Sequence, residues 1–203
     1  FALEDVNQNR KLKNVIYPIE NNEYEDLKSK RKEKVKDGEI RILGVDVAMM
    51  GGKNNDLTVI NCLRLIPNGK TYIRKLAYME TIEGGVSHDQ SIRVKQLFED
   101  FQCSYVALDT MGNSLAIYDE LIKVQYDEER GVEYDAWCAY NDEEMKRRCK
   151  HPSALPVIFS IKGNARLNHE IASALRVNLR NANLELPINE LEAKELLAEK
   201  KFY

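Results

Sequence analysis

The hydrophobic positions fall into short runs whose period changes along the chain. Ile40-Arg41-Ile42-Leu43-Gly44-Val45-Asp46-Val47-Ala48 is apolar and β-prone, and it stops at an acid followed by a glycine-bearing loop. Leu57-Thr58-Val59-Ile60-Asn61-Cys62-Leu63-Arg64-Leu65 reads as a second strand, and Thr71-Tyr72-Ile73-Arg74-Lys75-Leu76-Ala77-Tyr78-Met79 as a third. Between them Pro67-Asn68-Gly69-Lys70 carries Asn-Gly, the strongest short signal for a tight hairpin. Residues 40–79 therefore predict a three-stranded antiparallel meander.

The period then lengthens. Ile92, Val94, Leu97, Phe98 and Phe101 predict an amphipathic helix over residues 87–101. Ser104-Tyr105-Val106-Ala107-Leu108-Asp109 is a short apolar strand that again ends at an acid. A helical pattern resumes over residues 112–126 through Leu115, Ile117, Leu121 and Ile122. Val157-Ile158-Phe159-Ser160-Ile161 is a strand bounded by Pro156 and Gly163. Residues 164–184 predict a long helix with Leu167, Ile171, Ala174, Leu175 and Leu179 on one face, and residues 190–200 a last, charged helix. The order predicts an α/β fold: a mixed central sheet, antiparallel meander plus parallel strands, flanked by helices. Such sheets put their ligands at strand ends.

Composition narrows the class. At 203 residues, with 43% hydrophobic and 31% charged, the chain suits one globular domain and is too apolar for a disordered one. No apolar run is long enough to span a bilayer, and Phe1-Ala2-Leu3-Glu4 does not open a signal peptide. The absence of a starting Met leads us to expect a fragment. Residues 1–38 are polar and lysine-rich and read as a linker or the tail of a preceding domain; residues 39–203 are the domain itself. Cys62, Cys103, Cys138 and Cys149 form no C-x-x-C pair, which argues against structural zinc and for free thiols.

Asp46 and Asp109 are the most informative residues. Each ends a strand expected to be buried, and a carboxylate at the edge of an apolar core is costly unless compensated. If the two strands are neighbours, their ends lie about 5 Å apart. A divalent ion shared between the two would remove their repulsion and could activate a water for phosphoryl chemistry. Read singly, each Asp equally suits a turn or a helix cap. Asp56 could reach back toward the ion as an accessory ligand. Its loop, Gly51-Gly52-Lys53-Asn54-Asn55-Asp56, lacks the spacing of a phosphate-binding P-loop.

The net charge of −3, from 30 basic and 33 acidic residues, conceals an asymmetry. Residues 119–144 hold ten acids and two bases. Residues 146–180 hold Lys146, Arg147, Arg148, Lys150, Lys162, Arg166, Arg176 and Arg180 against Glu170 alone. That run suits a phosphate backbone; pairing with the acidic run is the alternative. His88 and His151 fall in expected loops, His169 in the long helix near Arg166, and Trp137 in the acidic stretch, where it packs locally. Nothing resembles a Ser-His-Asp arrangement, and no cysteine has a catalytic context.

Leu43-Gly44-Val45-Asp46-Val47-Ala48, with Gly51-Gly52-Lys53 and Asp56-Leu57-Thr58-Val59-Ile60 after it, resembles the opening of the C-terminal nuclease domain of large terminase subunits of tailed phages and prophages. Val106-Ala107-Leu108-Asp109-Thr110-Met111-Gly112-Asn113 is similar to that family's second acidic motif. The order continues through residues 155–161 and the helix from Asn164 to Leu184-Glu185-Leu186-Pro187, so the resemblance covers roughly residues 39–190. It implies a ribonuclease H-like fold and Mg2+- or Mn2+-dependent endonuclease activity on concatemeric double-stranded DNA. It also implies work in the host cytoplasm with a small terminase subunit and a portal protein. Asp46 and Asp109 would be the catalytic metal ligands, Asp56 an accessory, and Lys146, Arg147, Arg148, Lys162, Arg166, Arg176 and Arg180 DNA contacts.

The family adds a third acid on a late helix. No Asp follows Asp142, and Glu190, Glu192 and Glu195 are poor substitutes, so the third ligand is expected beyond Tyr203. Three rivals stay open. An integrase, transposase or junction resolvase of the same fold class would need the same acids. An actin-like ATPase would need a second phosphate loop. A catalytically inactive DNA-binding module would need neither ion nor third acid.

Overall fold

The computed structural model describes residues 2–28, 34–48, 57–112 and 114–188. In chain order the elements are α1 (Leu3–Asn7), β1 (Arg10–Leu12), a 3-10 turn (Asn21–Glu23), α2 (Tyr24–Leu27), β2 (Ile40–Asp46), β3 (Thr58–Asn68), β4 (Thr71–Ile82), α3 (Ser87–Asp100), β5 (Tyr105–Asp109) and α4 (Ser114–Leu121). There follow β6 (Gln125–Asp127), β7 (Val132–Tyr134), β8 (Trp137–Ala139), α5 (Glu143–Arg148), β9 (Leu155–Ile161), α6 (Ala165–Arg180) and β10 (Leu184–Pro187).

The expected meander is present: β2 and β3, then β3 and β4, pair antiparallel, and the second hairpin turns at Gly69 with a left-handed φ of 61°. β5 pairs parallel with β2, and β9 parallel with β5. The central order is β4-β3-β2-β5-β9, with the antiparallel pairings on one side of β2 and the parallel ones on the other. β8 extends one edge, while β10 and then β1 extend the other, giving an eight-stranded sheet.

Strand alternation decides which side chains face the core. Leu43 and Val45 of β2, Ile60 and Cys62 of β3, Val106 and Leu108 of β5 and Ile158 of β9 all point to one face. There they meet Val94, Leu97 and Phe101 at α3 and Ile117, Tyr118 and Leu121 of α4. Each such large apolar side chain removed from water contributes roughly 1.5–3 kcal/mol. The apolar face of α6 is far more open, with Ile171 50% and Leu175 39% exposed and Leu179 buried.

Two helices are shorter than their periodicity suggests. The helix expected over 112–126 stops at Leu121, and Gln125–Asp127 instead pairs with Val132–Tyr134 as a two-stranded ribbon. Local turn chemistry wins: Asp127 Oδ1 accepts from the Glu129 and Arg130 N–H groups, and Gly131 supplies a φ of 65°. The helix expected over 164–184 ends at Arg180, where Ala182 takes a left-handed φ of 51° and releases the chain into β10. The charged helix expected over 190–200 lies outside the described residues.

The leading segment, expected as a linker or a preceding domain's tail, is packed onto the sheet over residues 2–28. Leu12, Ile16, Ile19 and Tyr24 of this segment are buried, whereas Leu3 is exposed. Buried Asn9 donates to Leu179 O at 2.7 Å, tying the segment to the end of α6. Arg130 closes the arrangement with a buried ion pair to Asp100 at 2.9 Å and a hydrogen bond to Ile19 O at 2.6 Å.

Lys95 of α3 is fully buried. Its Nζ donates to Lys123 O at 2.8 Å and Asp135 O at 2.9 Å, and it lies 5.3 Å from the centre of the Trp137 ring. Two acceptors suit the two N–H groups of a neutral amine. Burial pulls its pKa from 10.5 down to about 7, and the charges of Asp135 and Glu120 only partly oppose the shift. Between these pH values the native state binds fewer protons than the unfolded chain, so this group makes stability rise with pH from about 7 to 10.5. Thermal melts across that window should show the rise, and Lys95→Met should flatten it; an unchanged slope would contradict the assignment.

Candidate metal centre at the sheet rim

Asp46 and Asp109 are the last residues of β2 and β5. The parallel register pairs Ile42 with Tyr105, Leu43 with Val106, Gly44 with Ala107 and Val45 with Leu108. Val45 and Leu108 are buried on the core face. The next residue on each strand, Asp46 and Asp109, therefore turns to the opposite face, side by side across an interstrand gap of about 4.8 Å. Asp46 is exposed and Asp109 half-buried. The two expected site residues thus end neighbouring parallel strands.

Local chemistry shapes the rim. Asp109 Oδ1 accepts from the Met111 N–H at 2.9 Å, which fixes the carboxylate against its own turn. Gly112 continues that turn with a φ of 57°, a conformation side-chain-bearing residues adopt reluctantly. Behind Asp46, Gly44 is crossed so closely by Asn61 that an added Cβ would sit 2.9 Å from its Nδ2.

Among the described residues neither Asp46 nor Asp109 forms an ion pair with Lys, Arg or His. Two like charges at about this spacing cost roughly 1–4 kcal/mol for effective dielectric constants between 80 and 20. A hard divalent cation takes oxygen donors of this kind, so the pair fits one. Among the described residues no group of three His, Cys, Asp or Glu completes such a centre. Asp56, with its loop, and Glu190, Glu192 and Glu195 lie outside the described residues.

The basic run is largely partnered. Arg148 binds Asp119 at 2.7 Å, Lys162 binds Asp142 and Glu144 at 2.9 Å each, and Arg166 binds Glu170 at 2.8 Å. Arg180 lies 3.7 Å from Asp5 and Lys146 4.0 Å from Glu143, while Lys150 donates to Arg147 O. Arg176 also has a partner. Asp119, Asp142, Glu143 and Glu144 come from the acidic run, as in the pairing alternative. Lys162 directly follows Ile161, which is in register with Asp109, so this base stands at the rim.

His88 falls within α3 rather than in a loop, 3.4 Å from Glu120. His151 meets Ser153 in a loop, and His169 is exposed on α6. Trp137 is buried on β8 with its ring 4.7 Å from that of Phe98. Sequence reasoning missed the buried hydroxyls beneath the rim, Thr58, Thr110 and Ser160. Polar residues at inward positions near strand ends were the available signal.

No protein-family model and no curated protein matches the chain. Among solved structures it is similar to the large terminase nuclease of thermophilic phage G20c with bound magnesium, at 20% identity and a TM-score of 0.48, over 90% of this chain and 74% of that one. The zinc-bound form of that nuclease gives 18% and 0.48 over 91% and 82%. The large terminase nuclease domain of Thermus phage P74-26 gives 18% and 0.45 over 92% and 72%.

Proposed function

We propose that this chain is a divalent-metal-dependent endonuclease domain that hydrolyses phosphodiester bonds in double-stranded DNA, of the kind carried by phage large terminase subunits. The observation that supports it most is the placement of Asp46 and Asp109, each one residue past the Val45–Leu108 register pair of neighbouring parallel strands and without a cationic partner among the described residues. Asp46 and Asp109 would hold Mg2+ or Mn2+, with Asp56 an accessory donor. Such an ion, when bound, lowers the pKa of a water and neutralises charge on phosphate oxygens.

The chain's own residues supply the rest. Exposed Asp46 opens the rim to a polymer that cannot enter a closed pocket. Asp109 is held to one orientation by the Met111 N–H. Lys162, steadied by Asp142 and Glu144, stands where a neighbouring phosphate would pass. Lys146, Arg147, Arg148, Arg166, Arg176 and Arg180 are further candidates for backbone contacts that read no sequence. On this reading the domain works in the host cytoplasm within a packaging assembly that includes a small terminase subunit and a portal protein. No described helix is long and apolar enough to cross a membrane.

Supercoiled plasmid incubated with the protein and Mn2+ or Mg2+ should be nicked and linearised with little sequence preference, and a chelator should stop the reaction. Cutting that persists in excess chelator, or no cutting with either ion, would contradict the proposal.

A further inference from the structure

Both aspartates sit where a strand's ladder gives out, and strand ends fray. Just past each, a buried hydroxyl braces the chain: Thr58 bonds the backbone of Ala48, and Thr110 bonds Ser160. Past Asp46, the Ala48 N–H donates to Thr58 Oγ1 at 2.8 Å. The single Thr58 proton has Ala48 O at 3.0 Å and Gln90 Oε1 at 2.9 Å within reach. Gln90 Nε2 in turn donates to Gly84 O at 2.9 Å. Thr58 is 1% and Gln90 2% exposed.

Past Asp109 the arrangement recurs with different residues. The Thr110 N–H donates to Ile161 O at 2.9 Å, and its hydroxyl meets Ser160 Oγ at 2.6 Å. Ser160 Oγ reaches Asp142 Oδ2 at 3.3 Å. The Asn141 amide imitates a strand partner for Ser160, accepting from its N–H at 2.8 Å and donating to its C=O at 2.9 Å. Thr110 and Ser160 are also buried.

Valine would fill either threonine site with the same shape and without a hydroxyl to satisfy, yet here each buried hydroxyl is bonded. The clamps also lie on the core side of the sheet, while the aspartates point to the other side. The clamping groups therefore do not compete with the carboxylates for a ligand; they fix the backbone from which the carboxylates project.

We infer that Thr58 with Gln90, and Thr110 with Ser160, are two positioning clamps that set the direction and spacing of Asp46 and Asp109 for a shared divalent ion. This rests on the metal-centre reading above. Outer partners of metal ligands typically change metal affinity or activity by about 10–100-fold when lost.

The test uses the full chain with Thr58→Val, Thr110→Val, Thr110→Ser and Ser160→Ala, titrated with Mn2+ by calorimetry and in plasmid cutting. Thr58→Val, Thr110→Val and Ser160→Ala should each weaken Mn2+ binding about tenfold or more and raise the Mn2+ needed for half-maximal cutting equally. Their melting points should fall by no more than about 5 °C. Thr110→Ser, which keeps the hydroxyl, should bind as wild type. Should Thr110→Val fail to fold, Ser160→Ala removes the same hydroxyl contact from the other side and carries the test. Aspartate-dependent Mn2+ uptake that Thr110→Val, Ser160→Ala and Thr58→Val all leave unchanged would overturn the clamps alone. A wild-type chain that takes up no Mn2+, or an Asp109→Asn chain that takes up as much as wild type, would overturn the metal centre and the clamps with it.

Discussion

Asp46→Asn and Asp109→Asn should each reduce metal-dependent cutting of DNA by more than about a hundredfold, while the melting point in metal-free buffer rises. The size follows from the role. Residues that merely orient a ligand cost about 10–100-fold when lost, so a direct ligand should cost more. The rise follows from the electrostatics. The two carboxylates are adjacent and lack a cationic partner among the described residues, so neutralising one relieves a repulsion on the order of 1 kcal/mol or more. For a chain of about this size, that is about 2–4 °C per kcal/mol. Asn keeps an oxygen that can accept from the Met111 N–H, so the turn after Asp109 survives. Plasmid cutting and scanning calorimetry on the same preparations check both halves. A variant that cuts undiminished would remove that aspartate from the active site, and a fall in melting point would mean its charge is compensated.

Glu39→Gln should be strongly destabilising although it is a conservative change. Glu39 precedes β2 with its carboxylate wholly buried, bonded to Arg41 Nε at 2.7 Å and Arg64 Nε at 2.6 Å. Arg41 also donates to Phe101 O at 2.9 Å, so the cluster ties β2 and β3 to the end of α3. Removing the anion leaves two buried guanidinium groups without it, which costs about 3–5 kcal/mol. That corresponds to a melting point roughly 10 °C lower. Burial alone would raise the Glu39 pKa, but hydrogen bonds from Arg64, Arg41 and the Lys36 N–H outweigh it and hold it at about 2. The native state therefore binds fewer protons than the unfolded chain between pH 4.5 and about 2. The stabilisation is whole above pH 4.5 and drains away as the pH falls through that window. Acid melts of wild type should lose stability there, and Glu39→Gln should lack that component. Equal acid sensitivity in the two proteins would contradict the account.

Much of the sheet was legible because its strands alternate cleanly. Leu43, Val45, Val106 and Leu108 announce buried strands, and Asp46 and Asp109 announce where those strands end. Parallel pairing then makes the two acids the ends of neighbouring strands without any further signal. The edges were not legible. β1, β8 and β10 are three or four residues long, too short for a period to register, and β10 is set by the left-handed Ala182 rather than by hydrophobicity. Turn chemistry at Asp127 overrode an apparently continuous helical pattern. The buried charges were hidden for a related reason: Arg41 and Arg64 occupy inward positions where an apolar residue is expected, and only the fold brings Glu39 between them. Sequence spacing left open whether the basic run pairs with the acidic one, and only the fold shows which partners Asp119, Asp142 and Glu144 take.

The most direct test of the central claim is a crystal of the full chain soaked in Mn2+ and measured for the anomalous scattering of manganese. The account predicts a peak at the rim within about 2.0–2.4 Å of carboxylate oxygens from both Asp46 and Asp109. A well-ordered rim with both side chains in place and no anomalous peak between them would contradict it.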